Sequence, residues 1–132
     1  MSVWEDHSIE DRVTAILSEV HAHQSGHHFG RPYLTAYQLA IAFARSSPEI
    51  VRTLGYQVGG EGTGEHVSLA QYLARELSRR IKTQTITHIE GAFLSPNDVR
   101  KIEFNNEGQI IRSSLTSANN DLSMFRLRPE GE

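Results

Sequence analysis

The chain has 132 residues, no cysteine and a formal net charge of −3, with 38% hydrophobic residues. A single domain of that length buries a working core without metal support, and the missing thiols exclude disulfides, thiolate metal sites and cysteine nucleophiles. No apolar run approaches the length that crosses a bilayer, and the acidic start Trp4-Glu5-Asp6 is unlike a signal peptide, so a cytoplasmic protein is expected.

The charge is unevenly spread. Residues 1–30 hold one Arg against five acids, residues 31–82 seven cations against four acids, and residues 83–132 five cations against seven acids. The middle of the chain is its basic part, so contact with a polyanion has to come from local placement of charge rather than from bulk attraction.

In chain order, Ser8 followed by Ile9, Glu10 and Asp11 reads as the capped, acid-rich start of a helix. The stripe Ile9, Val13, Ile16, Leu17 and Val20 carries it to about Ala22. His21, His23, His27 and His28 follow, four of the seven histidines. Imidazole nitrogens accept zinc, nickel or copper, but this spacing fits no zinc motif, no carboxylate stands in the cluster, and Gly26 ends a helix. A polar loop is expected there, and no metal.

Thr35 with Gln38 forms a capping box for a second helix, with Leu34 and Leu39 as its hydrophobic staple. Residues 36–44 are apolar almost throughout, the mark of a helix packed on more than one side. Ser47-Pro48 restarts a short helix at a position where proline's missing donor costs nothing; Ile50, Val51 and Leu54 give it a buried side, and Gly55 ends it. This pair has the skeleton of a helix-turn-helix, although the second helix shows one cation, Arg52.

Gly59-Gly60-Glu61-Gly62-Thr63-Gly64 leads into the longest helical pattern. A glycine-rich loop at a helix start can cradle an anion. The phosphate-loop pattern ends in Gly-Lys-Ser/Thr, however, and here Glu65 and His66 follow Gly64, so a surface loop is expected instead of a nucleotide site. Ser68 with Gln71 forms a second capping box, Val67 and Tyr72 its staple, and Leu69, Leu73, Leu77 and Ile81 recur every fourth residue. Gln71, Arg75, Ser78, Arg79 and Lys82 fall on the opposite strip. The plain reading of that strip is a solvated face; the sharper one is a surface that contacts phosphates.

Beyond Lys82 the period changes to alternation. Residues 85–90 read as a strand, Gly91 interrupts before Ala92-Phe93-Leu94, and Ser95-Pro96-Asn97-Asp98 is a turn. Residues 100–104 and 109–114 flank the loop Asn105-Asn106-Glu107-Gly108, a hairpin signal. A polar link over residues 113–121, a last strand over residues 122–127 and a tail from Pro129 complete the chain.

His88 and Glu90 stand at i and i+2, a spacing at which imidazole and carboxylate could serve a metal-independent nuclease, with Arg100, Lys101 or Arg112 supplying a cation. Half-buried polar strand residues are the plainer reading, and no Gly-x-Ser-x-Gly elbow appears. An enzyme is therefore the less favoured class, with no catalytic residue and no cofactor assigned. Tyr33, Tyr37, Tyr56 and Tyr72 together with Leu122, Met124 and Phe125 would, where exposed, form a surface for a protein partner or a homodimer.

The expected architecture is α+β in one domain spanning 1–132, with three to four helices over 1–82 and a small antiparallel β-meander over 83–128, a winged-helix-like order. The leading function is a DNA-binding or regulatory protein, a transcription regulator on duplex DNA or another nucleic acid. Arg75, Arg79 and Lys82 contact phosphates in this reading, Arg52 adds charge, and Asn105 and Asn106 at the hairpin tip reach an adjacent groove. The alternative is a protein-interaction module without catalysis: an adaptor, an inhibitor or a self-associating subunit. Neither involves a membrane.

Overall fold

The computed structural model describes residues 2–22, 27–59, 68–112 and 122–129. Among them the elements are α1 (Val3–Asp6), α2 (Ile9–Ser18), β1 (Leu34–Thr35), α3 (Ala36–Ser46), α4 (Pro48–Leu54), α5 (Leu69–Lys82), β2 (Ile89–Leu94), β3 (Glu103–Asn106), β4 (Gln109–Arg112) and β5 (Leu122–Leu127). The glycine-rich stretch beyond Gly59, the staple residue Val67, His23 and the link over 113–121 lie outside the described residues.

Both capping boxes form. The Thr35 hydroxyl accepts from the Gln38 amide at 3.1 Å and the Gln38 side chain accepts from the Thr35 amide at 2.8 Å. Ser68 and Gln71 repeat the exchange at 3.1 and 3.3 Å. Each box satisfies donors that a helix start otherwise leaves open. Pro48 stands in the first turn of α4, and Gly55 closes that helix at φ 73°, the left-handed conformation glycine adopts without strain.

The start of the chain departs from expectation. Trp4 is drawn into the core on a short helix of its own, α1, whose N-cap Ser2 accepts from the Glu5 amide. The chain then turns through Ser8, which is left-handed (φ 52°) and makes no side-chain cap bond to α2. Helix α2 ends at Ser18 instead of Ala22, because the Arg31 guanidinium donates to the carbonyls of Ser18 and Val20, each at 3.0 Å, and takes over the acceptors another turn would have used.

Strand β5 pairs antiparallel with β1 on one side and β2 on the other, giving the order β1-β5-β2, while β3 and β4 form a separate hairpin. The strand ahead of α3 returns to a sheet edge and the last strand lies between the first two, so the α+β fold is winged-helix-like. The two-residue β1, Leu34 opposite Phe125 and Thr35 opposite Met124, has no period of its own to announce it. Gly91 does not interrupt β2: it sits opposite Phe125 within the strand pairing, and an added Cβ would reach that ring at 3.4 Å, an ordinary van der Waals contact.

Alternation sends Ile89 and Phe125 into the core, and Glu90 and Arg126, paired across the strands, to the other side of the sheet. Above the sheet, Leu39 and Phe43 of α3 pack with Leu69, Leu73 and Leu77 of α5 and with Ile9, Val13 and Leu17 of α2. The Arg12 side chain donates to the His7 carbonyl and to the buried Ser47 hydroxyl, both at 3.0 Å, and so fastens the α1–α2 turn to the α3–α4 junction. Among the described residues no helix is long and apolar enough to cross a membrane.

Gly59 is held against the start of α5 at φ 135°, where a Cβ would approach Ala70 Cβ and Ser68 Oγ to 3.1 Å. Both the backbone conformation and the space call for glycine. Gly59→Ala should lower stability by about 1–3 kcal/mol, seen as a lower urea midpoint. A midpoint equal to that of the parent chain would mean that this approach does not persist in solution.

Candidate functional site

Helix α5 separates its residues by angle. Leu69, Leu73 and Leu77 are buried, while Gln71, Arg75, Ser78, Arg79 and Lys82 lie on the far side, facing water to differing degrees. Arg75 and Lys82 make no ion pair among the described residues. Arg79, with its side chain 57% exposed, stands at the edge of the strip and donates to Glu76 at 2.7 Å. The strip is therefore brought together, with one of its three cations already in contact with a carboxylate of the same helix.

Arg80 belongs to the other side. Its phase places it beside Leu73 and Leu77, where it donates to the same Glu76 oxygen at 3.2 Å and lays its guanidinium 4.7 Å from the centre of the Trp4 ring. The Arg80 Nε and Trp4 Nε1 donors find no acceptor among the described residues, so the arrangement rests on the attraction of cation for ring and on Glu76. Trp4 also faces Tyr72 at 6.4 Å, and Tyr72 faces Tyr56 at 5.5 Å. Burial raises the Tyr72 pKa above the ordinary phenol value, and the negative charge of Glu76 raises it further.

Among the described residues, the start of α5 leaves few donors for an anion. Leu69 N donates to the Gln57 carbonyl at 2.7 Å, Ala70 N to the Val58 carbonyl at 2.9 Å, and Gln71 N to the Ser68 hydroxyl. Three of the donors a phosphate would use are taken by the chain itself.

The hairpin is shifted from its expected register. Its loop is Glu107-Gly108 alone, with φ 53° and 90°, so Asn105 and Asn106 lie in β3 and an acid occupies the tip. Two positive φ values make the two-residue turn whose twist matches the strands. The exposed Asn105 side chain accepts from the Gly108 amide at 2.8 Å, which occupies part of its hydrogen-bonding capacity. Phe104 stacks on Tyr37 at 5.4 Å and seats the hairpin against α3. Arg112 pairs with Glu103 at 2.7 Å, a hydrogen bond that holds the Glu103 carboxyl below its usual pKa. Arg52 is exposed on α4.

His88 and Glu90 are not assembled into one site. His88 Nε2 lies 2.9 Å from the Thr14 hydroxyl, and Glu90 is shared by Arg126 and Arg128. Among the described residues no three potential metal-ligating side chains gather. Of the apolar partner surface expected, burial removes Leu122, Phe125 and Tyr72, which are 5%, 3% and 7% exposed, while Tyr33, Tyr37, Tyr56 and Met124 are half-buried. The outward apolar residues are instead Phe93, Leu94, Ile110, Phe29 and Val3. Alternation alone could not reveal Phe93, which lies on the helix-facing side of the sheet where a groove of about 310 Å³ opens between α5 and β2.

Comparison with family models, with curated proteins and with solved structures finds no match to this chain.

The two partners of Glu76 separate in a stability measurement. Arg79→Ala removes an exposed pair and should cost less than about 1 kcal/mol. Glu76→Ala leaves the largely buried Arg80 uncompensated and should cost on the order of 3 kcal/mol in urea unfolding. Equal losses would contradict the assignment of Arg80 to the inner side.

Proposed function

We propose that the protein binds duplex DNA through the exposed face of α5, as a cytoplasmic regulatory protein of transcription. The observation that carries this reading is the strip Arg75, Ser78 and Lys82, with no carboxylate partner for either cation among the described residues, on the helix that immediately precedes β2 in a winged-helix-like order. Arg75 and Lys82 neutralise phosphates, and Arg79 joins them by exchanging Glu76 for a phosphate oxygen. Arg52 on α4 and Asn105 and Asn106 on β3 are secondary contacts. The chain is acidic overall, so association depends on this local field.

Removing a cation that neutralises one phosphate should reduce the slope of log K against log salt by about 0.9. The double change Arg75→Ala and Arg79→Ala therefore should weaken retention of a duplex in gel-shift titrations and flatten its salt dependence by about twice that amount. Unchanged binding would remove this face from the site.

A second reading is a protein-interaction module, favoured by Phe93 and Ile110, which are 67% and 60% exposed. It predicts a dimer or larger species in size-exclusion chromatography with light scattering, returned to monomer by Phe93→Ser. A monomeric parent chain would dispose of self-association.

A further inference from the structure

Residues 27–33 run over the sheet face that points away from the core, and beneath them a groove of about 600 Å³ is lined by His27, Phe29, Arg31, Tyr33 and Arg126 among others. That volume lies within the range that takes small molecules. We propose that this groove is a binding site for a small planar aromatic anion, of the aromatic carboxylate class.

The aromatic part follows from the walls. Phe29 is 72% exposed, yet its ring is held edge-on to His27 and His28 at 4.7 and 4.8 Å, and those two rings stack on each other at 4.3 Å. A preassembled aromatic surface left in water gains from a flat guest that covers it. Its backbone is fastened in place. Arg126 donates to the carbonyls of Phe29 and Arg31 at 2.7 and 3.0 Å and lies 4.5 Å from the centre of the Tyr33 ring. Gly30 turns at φ 82° close above the same guanidinium.

The negative charge follows from the polar groups. Two guanidiniums line the groove and, among the described residues, no carboxylate does. Glu90 is divided between Arg126 and Arg128, so the described residues around the groove keep an excess of positive charge. Arg31 uses Nη1 on the end of α2, and Arg126 uses Nε and Nη1, so each keeps further N–H groups without a hydrogen bond among the described residues. His27 Nδ1 accepts from the Phe29 amide at 3.1 Å, which places the proton of the neutral ring on Nε2 as one more donor. Because Arg126 and its strand neighbour Phe125 point to opposite sides of β5, this site is separate from the α5 strip and stands whether or not that strip binds DNA.

Calorimetric titration of the full chain with 2-naphthoate, beside the neutral isostere 2-naphthamide, tests the proposal. Saturable one-to-one binding of naphthoate is expected, with the amide at least ~10-fold weaker for want of charge-assisted hydrogen bonds. Phe29→Ala should weaken naphthoate by roughly 5-fold or more because the guest no longer has that ring to cover, with an unchanged thermal midpoint because Phe29 is exposed. Arg75→Ala and Phe93→Ser should leave the titration as it is, and amide chemical shifts on adding naphthoate should centre on residues 27–33 and Arg126. No saturation, equal affinity for the amide, indifference to Phe29→Ala, or shifts centred elsewhere would each overturn it.

Discussion

The fold depends on the insertion of β5 between β1 and β2. One strand near the end of the chain pairs with Leu34–Thr35 on one side and Ile89–Leu94 on the other, so neither edge strand has a sheet to join until β5 arrives. Its Phe125 faces Leu34 and Gly91 at once and enters the core beneath the helices, while Arg126, one residue on, reaches two carbonyls of the loop that covers the opposite face. A one-residue slip would exchange these two side chains, burying a guanidinium and exposing a benzyl group. Register is therefore strongly specified by chemistry, and the pairings that specify it are distant in sequence, the kind of contact that slows folding.

Helix α5 shows how one helix can serve two purposes. Its phase gives Leu69, Leu73 and Leu77 to the core and Arg75 and Lys82 to the outer side, and Glu76 stands between, one of its oxygens shared by an exposed Arg79 and a largely buried Arg80. The inner pair makes burial of a guanidinium against Trp4 tolerable; the outer pair is marginal. Positive charge on the helix is thus graded, from two arginines held by one acid to two cations that meet none among the described residues.

Most of the helical layer was legible in the residues. The boxes Thr35/Gln38 and Ser68/Gln71, the proline in the first turn of α4 and the repeat Leu69, Leu73, Leu77 and Ile81 of α5 are local signals, and local physics carried them into the structure. What could not be read depends on partners far along the chain. Strand β1 is too short to have a period, Ser8 looks like a cap until Trp4 pulls a turn of helix in front of it, and Gly91 reads as a break until β5 pairs through it. The hairpin shifted by two residues because a Glu-Gly pair closes a tight turn that composition alone spreads over four. Of the basic strip, its position on the outer side was legible, whereas the partnership of Arg79 with Glu76 needed side-chain geometry.

The backbone of residues 57–59 and the first turn of α5 are fastened together by two main-chain hydrogen bonds and by the tight approach of Gly59 to Ser68. Gly59 and Ser68 thus meet in space although residues 60–67 separate them in sequence. Closure entropy sets little against a change in the number of residues between two points held this way, since each doubling adds only about 0.6 kcal/mol.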